Sequence, residues 1–99
     1  MPLLNRKDQK TNQSPISLTL YGRARCHLCD EVEGFIKKLS VEYPIQLKVV
    51  DITSDLALEE KYMFTIPVVE INGVEAFVSI HSVVTEEELR QELNRLTHN

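Results

Sequence analysis

The chain has 99 residues, which is room for one domain and too little for two at about 100–200 residues per domain. Hydrophobic residues make up 42% and charged residues 26%, with three Gly and four Pro, so collagen-like and low-complexity architectures are excluded. Eleven Lys and Arg against fifteen Asp and Glu leave a net charge of −4, which argues against a nucleic-acid surface; no apolar run nears the roughly 18–20 residues a membrane helix needs.

Asn5 to Ser14 contains no large apolar residue, and Pro15 closes the stretch. Residues 1–15 are therefore expected to form a flexible N-terminal tail ahead of a domain over 16–97, because nothing in them offsets the entropy of ordering. Met1-Pro2-Leu3-Leu4 is too short for the apolar core of a signal peptide, and Asn5-Arg6-Lys7-Asp8 follows at once. The expected compartment is a reducing cytoplasm, where a close cysteine pair is more often redox-active or metal-binding than structural.

Ile16-Ser17-Leu18-Thr19-Leu20-Tyr21 alternates apolar and polar residues, the pattern of a strand, and Gly22 ends it. From Leu28 the period changes. Val32, Phe35, Ile36 and Leu39 fall at i, i+3, i+4 and i+7, the stripe of an amphipathic helix. After Tyr43-Pro44, the alternation of Ile45, Leu47 and Val49 with Gln46 and Lys48 predicts a strand suited to a sheet edge. Thr53-Ser54-Asp55 reads as the start of a helix running to Tyr62, with a capping hydroxyl and a first-turn carboxylate. Tyr62, Met63 and Phe64 are expected to pack beneath the loop before Pro67. Val68 to Ile71 and Val74 to Val78 flank Asn72-Gly73, the strongest short hairpin signal. Thr85 with Glu88 forms a capping box, and Leu89, Leu93 and Leu96 mark a last helix. The order β-α-β-α-β-β-α predicts an α/β domain, a four-stranded mixed sheet flanked by three helices.

Cys26-His27-Leu28-Cys29 falls between the first strand and the first helix. The first helical turn offers unpaired N–H groups and the positive end of the dipole, which stabilise a thiolate. Arg23 and Arg25 add positive charge nearby, against Asp30, Glu31 and Glu33. Cys29 lies on the apolar stripe and Cys26 at the helix end. An accessible thiol that attacks and a shielded thiol that resolves is the arrangement that thiol–disulfide exchange needs. Three alternatives stand beside this reading. The pair could be half of a zinc site, although His27, His81 and His98 show no ligand spacing. The two cysteines could be inert packing. Cys26 could also carry a metal or an iron–sulfur cluster across a dimer.

Tyr21-Gly22, Cys26-His27-Leu28-Cys29 and Thr65-Ile66-Pro67 before a hairpin strand together resemble the glutaredoxin branch of the thioredoxin superfamily, over residues 16–97. The resemblance implies a thioredoxin-like fold and a thiol–disulfide oxidoreductase. It implies that Cys26 is the nucleophile and Cys29 the resolving cysteine, with no bound cofactor. Pro67 would be the cis-proline facing the pair, and Thr65, Ile66 and Pro67 would bind the extended backbone of a substrate. Arg23 or Arg25 would meet a glutathione carboxylate. Substrates would be protein or glutathione disulfides, with glutathione or a protein reductase as electron donor. A monomer is expected, with no nucleic-acid or membrane partner; a binding module without turnover is the rival within the same fold. Two departures weigh against a tight glutathione site. The segment Val78-Ser79-Ile80-His81-Ser82-Val83-Val84 lacks the usual Gly-Gly, and the inner dipeptide is His27-Leu28 in place of Pro-Tyr.

Overall fold

The computed structural model describes residues 15–79 and 84–97. Residues 1–14 of the expected 1–15 tail, and the His81 and His98 positions, lie outside these residues. The elements are β1 (Ile16–Gly22), α1 (His27–Leu39), β2 (Ile45–Asp51), a short 3-10 turn (Ile52–Ser54), α2 (Leu56–Tyr62), β3 (Val68–Ile71), β4 (Val74–Val78) and α3 (Glu86–Thr97). The strands form one mixed sheet in the order β2-β1-β3-β4. β1 runs parallel to β2, from Ile16 beside Ile45 to Gly22 beside Asp51. It runs antiparallel to β3, with Leu18 opposite Ile71 and Tyr21 opposite Val68. β3 and β4 form the expected hairpin. Asn72 and Gly73 both take positive φ (52° and 84°), which the tight two-residue turn requires. A bulge near Val69/Glu70 shifts the hairpin register, which nothing in the sequence announced.

The period-2 alternation of β1 divides the interior in two. Ile16, Leu18 and Leu20 face α1 and α3, where Val32, Ile36, Leu39, Leu89 and Leu93 complete the larger core with Val69, Ile71 and Val84. Tyr21 faces the other way. It joins a smaller cluster built on Ile52, Tyr62 and Val68, under α2. Side chains on the two faces alternate because successive Cβ atoms of a strand point in opposite directions. One buried face, α1 with α3, is also tied at the surface by Lys38 to Glu86 and Arg90 to Glu42.

The capping box forms as expected. The Glu88 backbone N–H donates to Thr85 Oγ1 at 3.1 Å, and the Thr85 N–H donates to a Glu88 carboxylate oxygen at 3.1 Å. The second helix starts differently from expectation. Thr53 does not cap it. Asp51 accepts the Thr53 N–H (2.9 Å) and hydroxyl (2.7 Å) and so caps the 3-10 turn, while Asp55 accepts the Ala57 N–H (2.8 Å) and caps α2. Two overlapping Asp caps outcompete one Thr because a carboxylate is the better acceptor at a helix start.

Candidate active site

β1 is the central strand that ends nearest α1, and residues 23–26 connect them. Arg25 takes a left-handed φ of 62°, which is uncommon for a side-chain-bearing residue and turns the chain into the helix. Cys26 is the N-cap of α1, with extended backbone. Its Sγ accepts the Cys29 N–H at 3.1 Å, so a sulfur fills the place that a Ser or Asp oxygen holds at most helix starts. The Asp30 N–H donates to the Cys26 carbonyl at 3.0 Å. In the reduced protein the same N–H and the helix dipole favour a thiolate on Cys26.

Cys26 and Cys29 are joined as a disulfide, with Cα atoms 5.2 Å apart. Cys29 is 5% exposed and continues the buried stripe of Val32 and Ile36, while Cys26 is half-buried. Gly22 makes room for them. A Cβ at that position would lie 2.9 Å from Cys29 Sγ and 3.0 Å from Cys29 Cβ. In the sequence Gly22 reads only as the end of a strand; its position four residues before Cys26 is the one signal of closer contact.

The Ile66–Pro67 peptide is cis. Tyr21 pairs with Val68, so Pro67 stands level with Gly22 on the β3 side of β1. The cis peptide and the disulfide therefore flank one strand end. The Ile66 N–H is already engaged, donating to the Tyr62 carbonyl at 3.2 Å, and that carbonyl also receives the Thr65 N–H at 2.9 Å. The Thr65 carbonyl accepts the Ser79 N–H at 3.1 Å. Among the described residues, none donates to the Ile66 carbonyl.

Arg23 and Arg25 do not act as a pair. Arg23 lies on the β2 side of β1, away from Pro67, with its charge near Asp51; Arg25 is exposed on the turn. Arg23, Gly22, Cys29 and Glu33 line a pocket of about 230 Å³ that also touches Leu20 and Val49. This pocket is not legible in the sequence, because it depends on the parallel register of β1 and β2.

Tyr62 packs as expected, but Met63 and Phe64 do not. Met63 is 42% and Phe64 85% exposed. The turn after α2 leaves Phe64 in solvent, and of these three residues only Tyr62 enters the small cluster. The Tyr62 ring lies 4.8 Å from that of Tyr21, tilted by 35°. Its hydroxyl donates to Glu75 at 2.6 Å, and Tyr21 donates to Glu70 at 3.1 Å. Burial, then the hydrogen bond to Glu75, and then the nearby carboxylate charges push the Tyr62 phenol well above its ordinary 10.0. Burial and Glu70 push Tyr21 the same way. Among the described residues, no three His, Cys, Asp or Glu side chains come together around one metal-sized space.

The Glutaredoxin-like domain family (DUF836) matches residues 17–94, which takes in β1, the Cys-x-x-Cys, the cis-proline and most of α3. The chain belongs to this family. Among solved structures it is similar to the Nitrosomonas europaea protein Ne2328, with a TM-score of 0.67 and 26% identity over 83% of this chain and 96% of that one. It is also similar to a mutant thioredoxin of Halobacterium salinarum (TM-score 0.67, 17% identity, 94% of this chain and 84% of that one). Thioredoxin 1 of Thermosipho africanus gives a TM-score of 0.61 at 18% identity, over 80% and 91% of the two chains. The two thioredoxins establish the fold, a thioredoxin-like α/β domain. The glutaredoxin-like family and the Cys26–Cys29 disulfide together support a thiol–disulfide redox function.

Proposed function

We propose that this protein is a thiol–disulfide oxidoreductase that works by dithiol exchange. The observation that carries the reading is the position of Cys26 Sγ as the cap of α1, joined to a buried Cys29. In the reduced protein the Cys26 thiolate attacks a disulfide. A Cys26–substrate bond forms, the substrate S–S bond breaks, and one substrate sulfur leaves with the electron pair. Cys29 then bonds to Cys26, and the second substrate sulfur leaves. The substrate gains two electrons and the Cys26–Cys29 pair loses them. Protein and glutathione disulfides are the substrates, taken as an extended backbone alongside Thr65, Ile66 and Pro67. Since the Ile66 N–H donates to Tyr62, the Ile66 carbonyl is the group that receives the incoming backbone. Arg25 is exposed beside Cys26 and suits a substrate carboxylate there, whereas Arg23 serves the opposite side.

Turnover of a mixed protein–glutathione disulfide and of a protein disulfide, each with glutathione or with thioredoxin reductase as donor, tests the reading. Turnover with at least one donor that disappears in Cys26→Ser is expected. Absence of turnover with every donor would make the protein a binding module.

A further inference from the structure

Asn72 and Gly73 shape the hairpin turn, and the same pair carries a covalent reactivity that the turn does not use. A main-chain nitrogen can attack the side-chain amide of an Asn just before it and close a five-membered ring. Glycine hinders that approach least, because it has no Cβ. Both residues are exposed, and a Cβ built on Gly73 would meet no atom within 4 Å. Among the described residues, none accepts the Gly73 N–H. The other described asparagine, Asn94, is followed by Arg95 inside α3, where the helical ladder holds the main-chain nitrogen and a side chain crowds it.

The sheet sets when the ring can close. Asn72 follows Ile71, the last residue of β3, which stands opposite Leu18 of β1. The Asn72 N–H donates to the Ser17 carbonyl at 2.7 Å, and Asn72 Oδ1 accepts the Ser17 N–H at 3.0 Å. Main chain and side chain of Asn72 are both fastened to one residue of the central strand. Ring closure must swing the Asn72 amide carbon toward the Gly73 nitrogen, which takes Oδ1 away from Ser17.

We infer that Asn72 is a site of deamidation, gated by the opening of its bonds to Ser17. In the opened turn the Gly73 nitrogen bonds to Asn72 Cγ and gives up its proton. The Cγ–Nδ2 bond breaks, and the nitrogen leaves as ammonia with that proton. Water then opens the succinimide ring, and nothing is oxidised or reduced. Opening at Cγ leaves aspartate, whose carboxylate still reaches the Ser17 N–H. Opening at the main-chain carbonyl leaves an iso-aspartyl link, in which the main chain runs through the former side chain and gains a carbon. A two-residue turn has fixed geometry and no slack for that carbon. The iso-aspartyl form therefore loosens the β3–β4 hairpin, and the aspartate form keeps it.

The full chain, oxidised, is held in mildly alkaline buffer, folded in one sample and unfolded in urea in another. Peptides are then mapped by mass and by iso-aspartyl content. The Asn72 peptide should gain the mass of an acid replacing an amide in both samples, about tenfold more slowly in the folded one. The Asn94 peptide should lag far behind it in urea. Gly73→Ala should slow the reaction several-fold in urea, where the fold plays no part. The iso-aspartyl form, isolated chromatographically, should unfold at lower urea than Asn72→Asp. Equal rates in the folded and unfolded samples would overturn the gating by Ser17. No mass gain at Asn72 in urea would overturn the site itself. An iso-aspartyl form as stable as Asn72→Asp would overturn the effect on the hairpin.

Discussion

Two sulfurs three residues apart differ because one ends a helix and the other lies inside it. Cys26 has the open face of the N-cap, while Cys29 lies against Gly22 and continues the buried stripe of Val32 and Ile36. Reduced Cys26 should therefore alkylate faster than Cys29 at neutral pH, as mass spectrometry of partly labelled protein would show. Cys26→Ser should abolish exchange. Cys29→Ser should still attack and then accumulate as a mixed disulfide with a protein substrate; full turnover in either variant would reverse the roles. Gly22 permits a more severe test. Its replacement by Ala places a carbon 2.9 Å from Cys29 Sγ, so either β1 or α1 must move. Gly22→Ala should cost about 1–3 kcal/mol in denaturant unfolding of the oxidised protein. An unchanged midpoint would mean that the two elements are less tightly apposed than the distances say.

The elements differ in how far local chemistry specifies them. α3 announces itself through Thr85 and Glu88, and both reciprocal bonds form. Thr85→Ala should therefore cost about 1 kcal/mol of stability in thermal or urea unfolding, with the disulfide chemistry unaffected. The start of α2 was misread because Thr53, Asp51 and Asp55 all carry capping side chains, and only the path of the chain after β2 decides among them. Phe64 was misread for a similar reason. Hydrophobicity predicts burial on average, but whether a turn points its side chain inward is set by the elements it joins. At the end of α2, Tyr62 holds its proton more tightly in the folded state than in the unfolded chain, where the phenol titrates near 10.0. The stabilisation is complete below that pH and is lost as pH rises through and beyond it. Tyr62→Phe should cost about 1 kcal/mol at neutral pH and flatten the loss of stability above pH 10. An alkaline stability profile identical to that of the unaltered protein would rule out the Tyr62 phenol as its source.

At the scale of the molecule, the sequence made the order of elements along the chain and the location of the cysteines readable, because alternation, helical period and turn residues are local signals. The fit of Gly22 against Cys29, the pocket beside Glu33 and the commitment of the Ile66 N–H were not readable, because each needs residues brought together by sheet register. The whole architecture bears on the redox equilibrium through the helix cap, which favours the reduced thiolate. The Cys26–Cys29 couple should fall roughly between −180 and −270 mV, the range of catalytic pairs, when equilibrated with glutathione buffers and read by mass shift. A couple below about −300 mV would mark a structural crosslink. β1 and β3 each have a hydrogen-bonded neighbour on both sides, and β1 is the longer at seven residues against four, whereas β2 and β4 each have one neighbour. Amide protons of β1 should accordingly exchange with solvent last, and those of the outer strands earlier. The disulfide loop hangs from the strand that opens last, so fluctuations that fray the margins of the sheet leave the two sulfurs in register.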